Sequence, residues 1–154
     1  MTSENLFKGA LCGIVAGFAA TVAKTVWEDY FPVRSADTPT PPAIIAQRVA
    51  NRELTDEEKA KASTAIHFTF GVGVGVAYAA AAEVAPKITA SLGMPFGLAF
   101  YGGTHGSVVP ALNLEPWPTE VKPMSYAINE FAGHFVYAAT LELARRGMRN
   151  YVMR

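Results

Sequence analysis

Between Lys61 and Glu83, and again between Lys87 and Glu115, the sequence contains no Asp, Glu, Lys or Arg. Each charge-free run can hold a helix of about 20 residues, the length that crosses a bilayer. A chain of 154 residues with two such runs must bury them against each other or against lipid. A third run, "LFKGALCGIVAGFAATVAKTVW", is bounded by Lys8 and Lys24, whose long side chains can snorkel from its ends. A fourth, near Ser125 to Leu143, is the least apolar because it holds Glu130, His134 and Glu142.

Small residues recur along these runs every four positions. Gly9, Gly13, Gly17 and Thr21 form one stripe; His67, Gly71, Gly75, Ala79 and Glu83 form a second; Gly93, Gly97, Tyr101 and His105 form a third. In water, interior glycines weaken a helix by about 1 kcal/mol each. In a membrane the same stripes let helix backbones approach closely. The pattern predicts an all-α fold, a bundle of four transmembrane helices over about residues 6–27, 63–83, 91–111 and 125–143, forming one integral membrane domain. A soluble four-helix bundle is the competing reading. Thr55 and Glu58 form a capping box that starts one long helix running from about Asp56 to Glu83.

The connection from Glu28 to Ser63 is long and polar. It opens with the Pro-rich "FPVRSADTPTPP" and continues as a short amphipathic helix over about residues 42–54, with Ile44, Ile45, Val49 and Leu54 on one side. That helix can lie on the membrane surface, cap the bundle or simply pack as an ordinary helix within its loop. Arg145, Arg146, Arg149 and Arg154 crowd the C-terminus without an acid, which places it in the cytoplasm by the positive-inside rule. Four spans then return the N-terminus to the same side. Trp27 and Trp117 fall at span ends on the outer side, as interfacial Trp does. The N-terminus lacks the pattern of a cleaved leader, so the first helix is read as retained.

The segment "NEFAGHFVYAAT" puts Glu130 and His134 four residues apart on one helix face. Ionisable groups at membrane depth cost several kcal/mol and normally face the bundle interior, where they pair. Lys24 and Glu28 have the same spacing and read as a structural ion pair at the outer end of the first helix. His67, His105, Glu130 and His134 are the candidate intramembrane polar cluster. Arg34 reads as an interfacial loop group.

The order of "GIVAGFAATVAKTVWE", "FPVRS", "AIHFTFGVGVGVAYAAAAEVAPKI", "YGGTHGSVVPALNLEPW" and "NEFAGHFVYAATLELARRGMRN" resembles the YagU-like family of bacterial multi-pass inner-membrane proteins. The resemblance implies an inner-membrane location and an association with acid tolerance. Positions matching it include Lys24, Glu28, Arg34, His67, Glu83, His105, Glu130, His134 and Glu142. The loop after the first helix is shorter here and lacks cysteine.

Three readings of the cluster stay open. It can lock helix packing through hydrogen bonds, worth about 0.6 kcal/mol each on average. It can relay or sense protons, since histidine titrates near neutrality. Or two histidines can hold a haem or a metal ion, although no CxxCH or HExxH is present. The expectation is no cofactor and no metal.

No GxSxG, P-loop or dinucleotide fingerprint occurs, so no enzyme is expected. Acids and bases balance at 13 each, which gives no basic field for nucleic acid. Cys12, the one cysteine, excludes an intrachain disulfide. The partners expected are the lipid bilayer and further copies of the chain, a dimer by default. The functional expectation is a non-enzymatic membrane protein of proton or acid-stress homeostasis, with an accessory subunit of a larger membrane complex as the alternative.

Overall fold

The computed structural model describes residues 3–152. Among these the fold is all-α. Helix α1 spans Ser3–Tyr30, α2 Pro41–Ala50, α3 Asp56–Val84, α4 Ala90–Gly103, α5 Val109–Ala111 and α6 Met124–Val152. A 3₁₀ turn, Pro86–Thr89, precedes α4, and a π turn, Thr104–Val108, joins α4 to α5. Arg154 lies outside the described residues.

Local chemistry accounts for the boundaries. The Thr55 side chain accepts from Glu58 N, and Glu58 Oε2 accepts from Thr55 N at 2.9 Å, so the expected capping box starts α3. Pro86 stops it. Thr40 caps α2, which ends at Ala50 where Asn51 turns left-handed, four residues before the expected boundary.

The third expected span is not one regular helix. Ser91, Leu92 and Gly93 have φ of 48°, 58° and 77°, so the regular turns begin at residue 94. Pro95 then sits in the first turn, where its missing N–H costs little. Further on, Pro110 supplies no N–H to the turn before it, and Ser107 Oγ donates to the Gly102 and Gly103 carbonyls at 2.7 and 3.0 Å. The helix widens into the π turn that carries His105.

Helix α1 is central. It packs along both α3 and α6, and α4 packs on the other side of α6. The small-residue stripes of α1 and α3 face each other. A Cβ placed on Gly75 would lie 2.5 Å from Gly17 Cα, and one on Gly13 would lie 2.6 Å from Gly75 O. Only glycine permits that approach. The stripe of α4 faces α6 instead: a Cβ on Gly97 would meet Ala138 Cβ at 3.0 Å. These faces are therefore spent inside the chain, and an oligomer draws no support from them.

Helices α3 and α4 touch at Tyr78 and Phe96, whose ring centroids are 4.6 Å apart, and diverge beyond Phe70 and Phe100, at 6.0 Å. The resulting cleft is roofed by α2. Arg48 of α2 donates to the carbonyls of Leu112 and Asn113 at 2.9 Å each, tying it to the end of α5. The amphipathic helix thus caps the bundle.

The molecule is apolar outside and charged inside. Phe18 is 54% exposed, and Ile14, Val15, Val26, Leu98 and Ile128 are exposed as well. Lys24, Glu130, His134, Glu142 and Arg145 are buried. Two helical segments, Phe7–Tyr30 and Asp56–Val84, are long and apolar enough to cross a membrane. The broken α4 and the charge-bearing α6 do not join them by that measure.

Candidate functional site

The site gathers where α1 ends, α3 begins and α6 begins, here termed the loop end. Its centre is the Glu130 carboxylate, 6% exposed on the second turn of α6. Four basic side chains surround it. Lys24 Nζ donates to Oε1 at 2.8 Å. His134 Nδ1 and His105 Nε2 lie 3.4 and 3.5 Å from the same oxygen, and Arg34 Nη2 lies 3.6 Å from Oε2.

Lys24 and Glu28 pair as their spacing predicts. The pair is not separate from the polar cluster: Lys24, 6% exposed, bridges Glu28 on its own helix to Glu130 on α6. An ammonium buried this deeply needs both carboxylates to offset its lost hydration. Arg34 also belongs to the site, although its loop position suggested an interfacial role.

Glu130 and His134 share a face, but their bond is not carboxylate to imidazole alone. His134, 1% exposed, has Nδ1 at 2.9 Å from the Glu130 carbonyl. A carbonyl only accepts, so Nδ1 carries the proton in the neutral ring and Nε2 is left bare. That nitrogen faces Thr104 Oγ1 at 3.4 Å, whose own hydroxyl is donated to Phe100 O at 2.6 Å. The bare nitrogen therefore has no strong donor, and a proton added there would find an acceptor in the Thr104 oxygen.

His105 uses Nδ1 to donate to Glu115 at 2.5 Å and turns Nε2 toward Glu130. Its ring is T-shaped against His134, centroids 5.1 Å apart. Glu115 and Thr104 were absent from the sequence expectation. The signal for Glu115 was present: it is the first charge after the apolar run that contains His105.

His67 does not join the cluster. Its Nε2 lies 3.4 Å from Thr25 Oγ1, a hydroxyl already donated to Thr21 O at 2.9 Å. Being on α3, it faces the cleft, while Glu130 sits between α1, α6 and the π turn.

His105, Glu130 and His134 each bring a donor atom within 4.8 Å of the others. A metal ion there would meet Lys24 and Arg34 already on the same carboxylate. The arrangement is an ion-pair network, with its carboxylate spent on protein cations.

Two spaces border the cluster. A small void of about 30 Å³ is lined by Tyr101, His105, Glu115, Tyr126 and Glu130 among others, enough for one water. The α3/α4 cleft is a cavity of about 680 Å³ with Lys24, His67, Thr104, His105 and His134 on its inner wall.

A second polar network closes the opposite end. Glu142, 0% exposed, accepts from Tyr78 Oη at 2.8 Å, Arg145 Nε at 2.7 Å and Arg146 Nε at 2.6 Å. Glu83 accepts two bonds from Arg149, at 2.8 and 2.9 Å. Arg145 and Arg146 thus pair with an acid one helical turn before them, and Arg149 with an acid on α3 that its sequence neighbourhood did not reveal. Between the two networks lies a packed layer of Ala16, Ala20, Tyr78, Tyr137 and Leu141.

No curated protein and no solved structure matches the chain. A family model described as a protein of unknown function, DUF1440, matches residues 18–143, which hold the whole Glu130 cluster. The chain therefore belongs to the DUF1440 family, whose function is not established.

Proposed function

We propose that the chain is a non-enzymatic, four-span bacterial inner-membrane protein of the YagU-like kind, with both termini cytoplasmic, and that its loop-end cluster responds to external protons. The inverted distribution of polarity supports membrane insertion. Exposed apolar helix faces suit lipid, and charges at membrane depth face the interior and pair. Under this orientation the loop end faces outward, on the acid-exposed side.

The observation that carries the proton response is the convergence of four bases on one carboxylate. The groups facing Glu130 are Lys24 from α1, Arg34 from the following loop, His105 from the π turn and His134 from α6. Glu28 and Glu115 back the first and third of these. A proton taken up by His134 adds positive charge on the same Glu130 oxygen that Lys24 holds. The competition weakens the Lys24–Glu130 bond that joins α1 to α6. This gives the acid-tolerance association a physical basis in sensing.

Conduction fits less well, because the tyrosine hydroxyls in the layer between the two networks are spent on Glu142 and the Gly71 carbonyl. An accessory role in a larger complex loses the argument from free small-residue stripes, since those stripes are spent within the chain.

The test uses the protein in lipid nanodiscs with Trp117→Phe, leaving Trp27 as reporter. Trp27 donates Nε1 to Asn129 O at 3.0 Å and packs against Gly133, so it reads the α1–α6 contact. Its emission is expected to shift as the pH is lowered from neutral into the acid range. Glu130→Gln and His134→Ala should flatten the response. A flat response in the parent protein would sink the proposal, and proton flux into liposomes above the empty-vesicle rate would replace sensing with conduction.

A further inference from the structure

The cleft between α3 and α4 is large for a chain of this size. Its volume, about 680 Å³, lies within the range of ligand sites of small-molecule size, about 300–1,000 Å³. Its side walls are apolar: Ile66 and Phe70 on α3, Phe100 on α4, Val108 and Val109 at the π turn, and Leu112 beyond. Helices α1 and α6 form the back, the Phe70–Phe100 contact narrows the bottom, and α2 closes the top. The remaining side, opposite α1 and α6, looks toward where lipid would lie.

The polar wall presents its cations to the cleft. Its charged groups are Lys24, Arg34 and Glu28, and Glu130 lies behind both cations. Lys24 is held by Glu28 and Glu130. Among the described residues Arg34 pairs with Glu130 alone, at 3.6 Å, which leaves most of its five donors unspent. His67, on the facing helix, has one weak polar contact among the described residues. A planar guanidinium with free donors beside an apolar slot suits a phosphate joined to an acyl chain.

We propose that this cleft is a binding site for an anionic phospholipid of the bilayer, with one acyl chain between α3 and α4 and its phosphate beside Arg34 and His67. Basic pockets between transmembrane helices hold anionic head groups by the same chemistry. The inference rests on the four-span reading and is independent of the proton response. A chain recovered from the soluble fraction would sink both, whereas indifference to lipid in a membrane-extracted chain sinks this one alone.

Two glycines make the test selective. A Cβ on Gly103 or on Gly102 meets no atom within 4 Å, so a side chain can start from either without a clash at its first carbon. Gly103 lines the cleft, and Gly102 is not among its lining residues. Native mass spectrometry of the detergent-solubilised full chain, exchanged against equimolar phosphatidylglycerol and phosphatidylcholine, gives the readout.

Several-fold enrichment of one bound phosphatidylglycerol is expected. Gly103→Leu should abolish it, Gly102→Leu should keep it, and Arg34→Gln should bring the two lipids to parity. Equal retention by the parent chain, or undiminished retention by Gly103→Leu, would overturn the proposal. So would a dimer mass that Gly103→Leu dissolves, because the cleft would then be filled by a second copy.

Discussion

Lys24 Nζ lies 2.8 Å from Glu130 Oε1, joining α1 to α6 across 106 positions of sequence. Both groups are buried, so each relies on the other, with Glu28 and Arg34 as further partners, to offset its lost hydration. Lys24→Met should leave Glu130 facing Arg34 at 3.6 Å and destabilise the fold by about 3–5 kcal/mol, the range for stranding half of a buried pair. The double variant Lys24→Met, Glu130→Leu should recover much of that loss. Unfolding in detergent, followed by circular dichroism across the double-mutant cycle, gives the coupling. Simple additivity of the two losses would show that the pair does not join the helices energetically.

The expectation from sequence found Lys24 with Glu28 and found Glu130 with His134, because both pairs obey the local i, i+4 rule. It could not join them, because nothing in the spacing says that α1 lies against α6. The Gly stripes were legible as close-packing faces, yet their partners were not: Gly13 meets Gly75 within the chain, while the same stripes had also suggested further copies of the chain. His67 shared the four-residue stripe of α3 but faces the cleft, since α3 and α4 diverge there. The break at Ser91 to Gly93 was hidden because only Gly93 belongs to a type that ordinarily adopts positive φ.

The α1–α3 contact can be tested with two glycines on one helix. A Cβ at Gly75 would sit 2.5 Å from Gly17 Cα, while one at Gly73 meets nothing within 4 Å. Gly75→Ala should force the helices apart and cost at least about 1–3 kcal/mol, as overpacking does. Gly73→Ala should be neutral or slightly stabilising, since alanine is the better helix former. Melting temperatures in one detergent suffice. Equal effects at the two positions would mean that α1 and α3 are not in register as described.

The start of α3 should show its own pH dependence. Arg52 beside Glu58, with the Thr55 N–H, holds the Glu58 carboxyl down at about 2 from its ordinary 4.5. A folded value below the unfolded one means the contribution is complete above about pH 4.5. It fades as pH falls and is lost as pH passes through about 2. Side-chain carboxyl NMR of Glu58 should give that midpoint, and Arg52→Ala should move it upward. An unshifted midpoint in the parent chain would mean that the capping box is open in solution.

Cysteine labelling can decide the orientation on which the proton response depends. Cys12 is buried at 1% exposure, so the parent chain should resist maleimide and serve as a silent background. Ser35, after α1, and Lys87, in the turn before α4, are exposed at opposite ends of the bundle. If the arginine-rich end faces the cytoplasm, Ser35→Cys reacts with an impermeant maleimide in spheroplasts, and Lys87→Cys reacts only after lysis. The reverse pattern would place the Glu130 cluster on the cytoplasmic side. It would then be shielded from external acid, and Trp27 emission could follow internal pH alone.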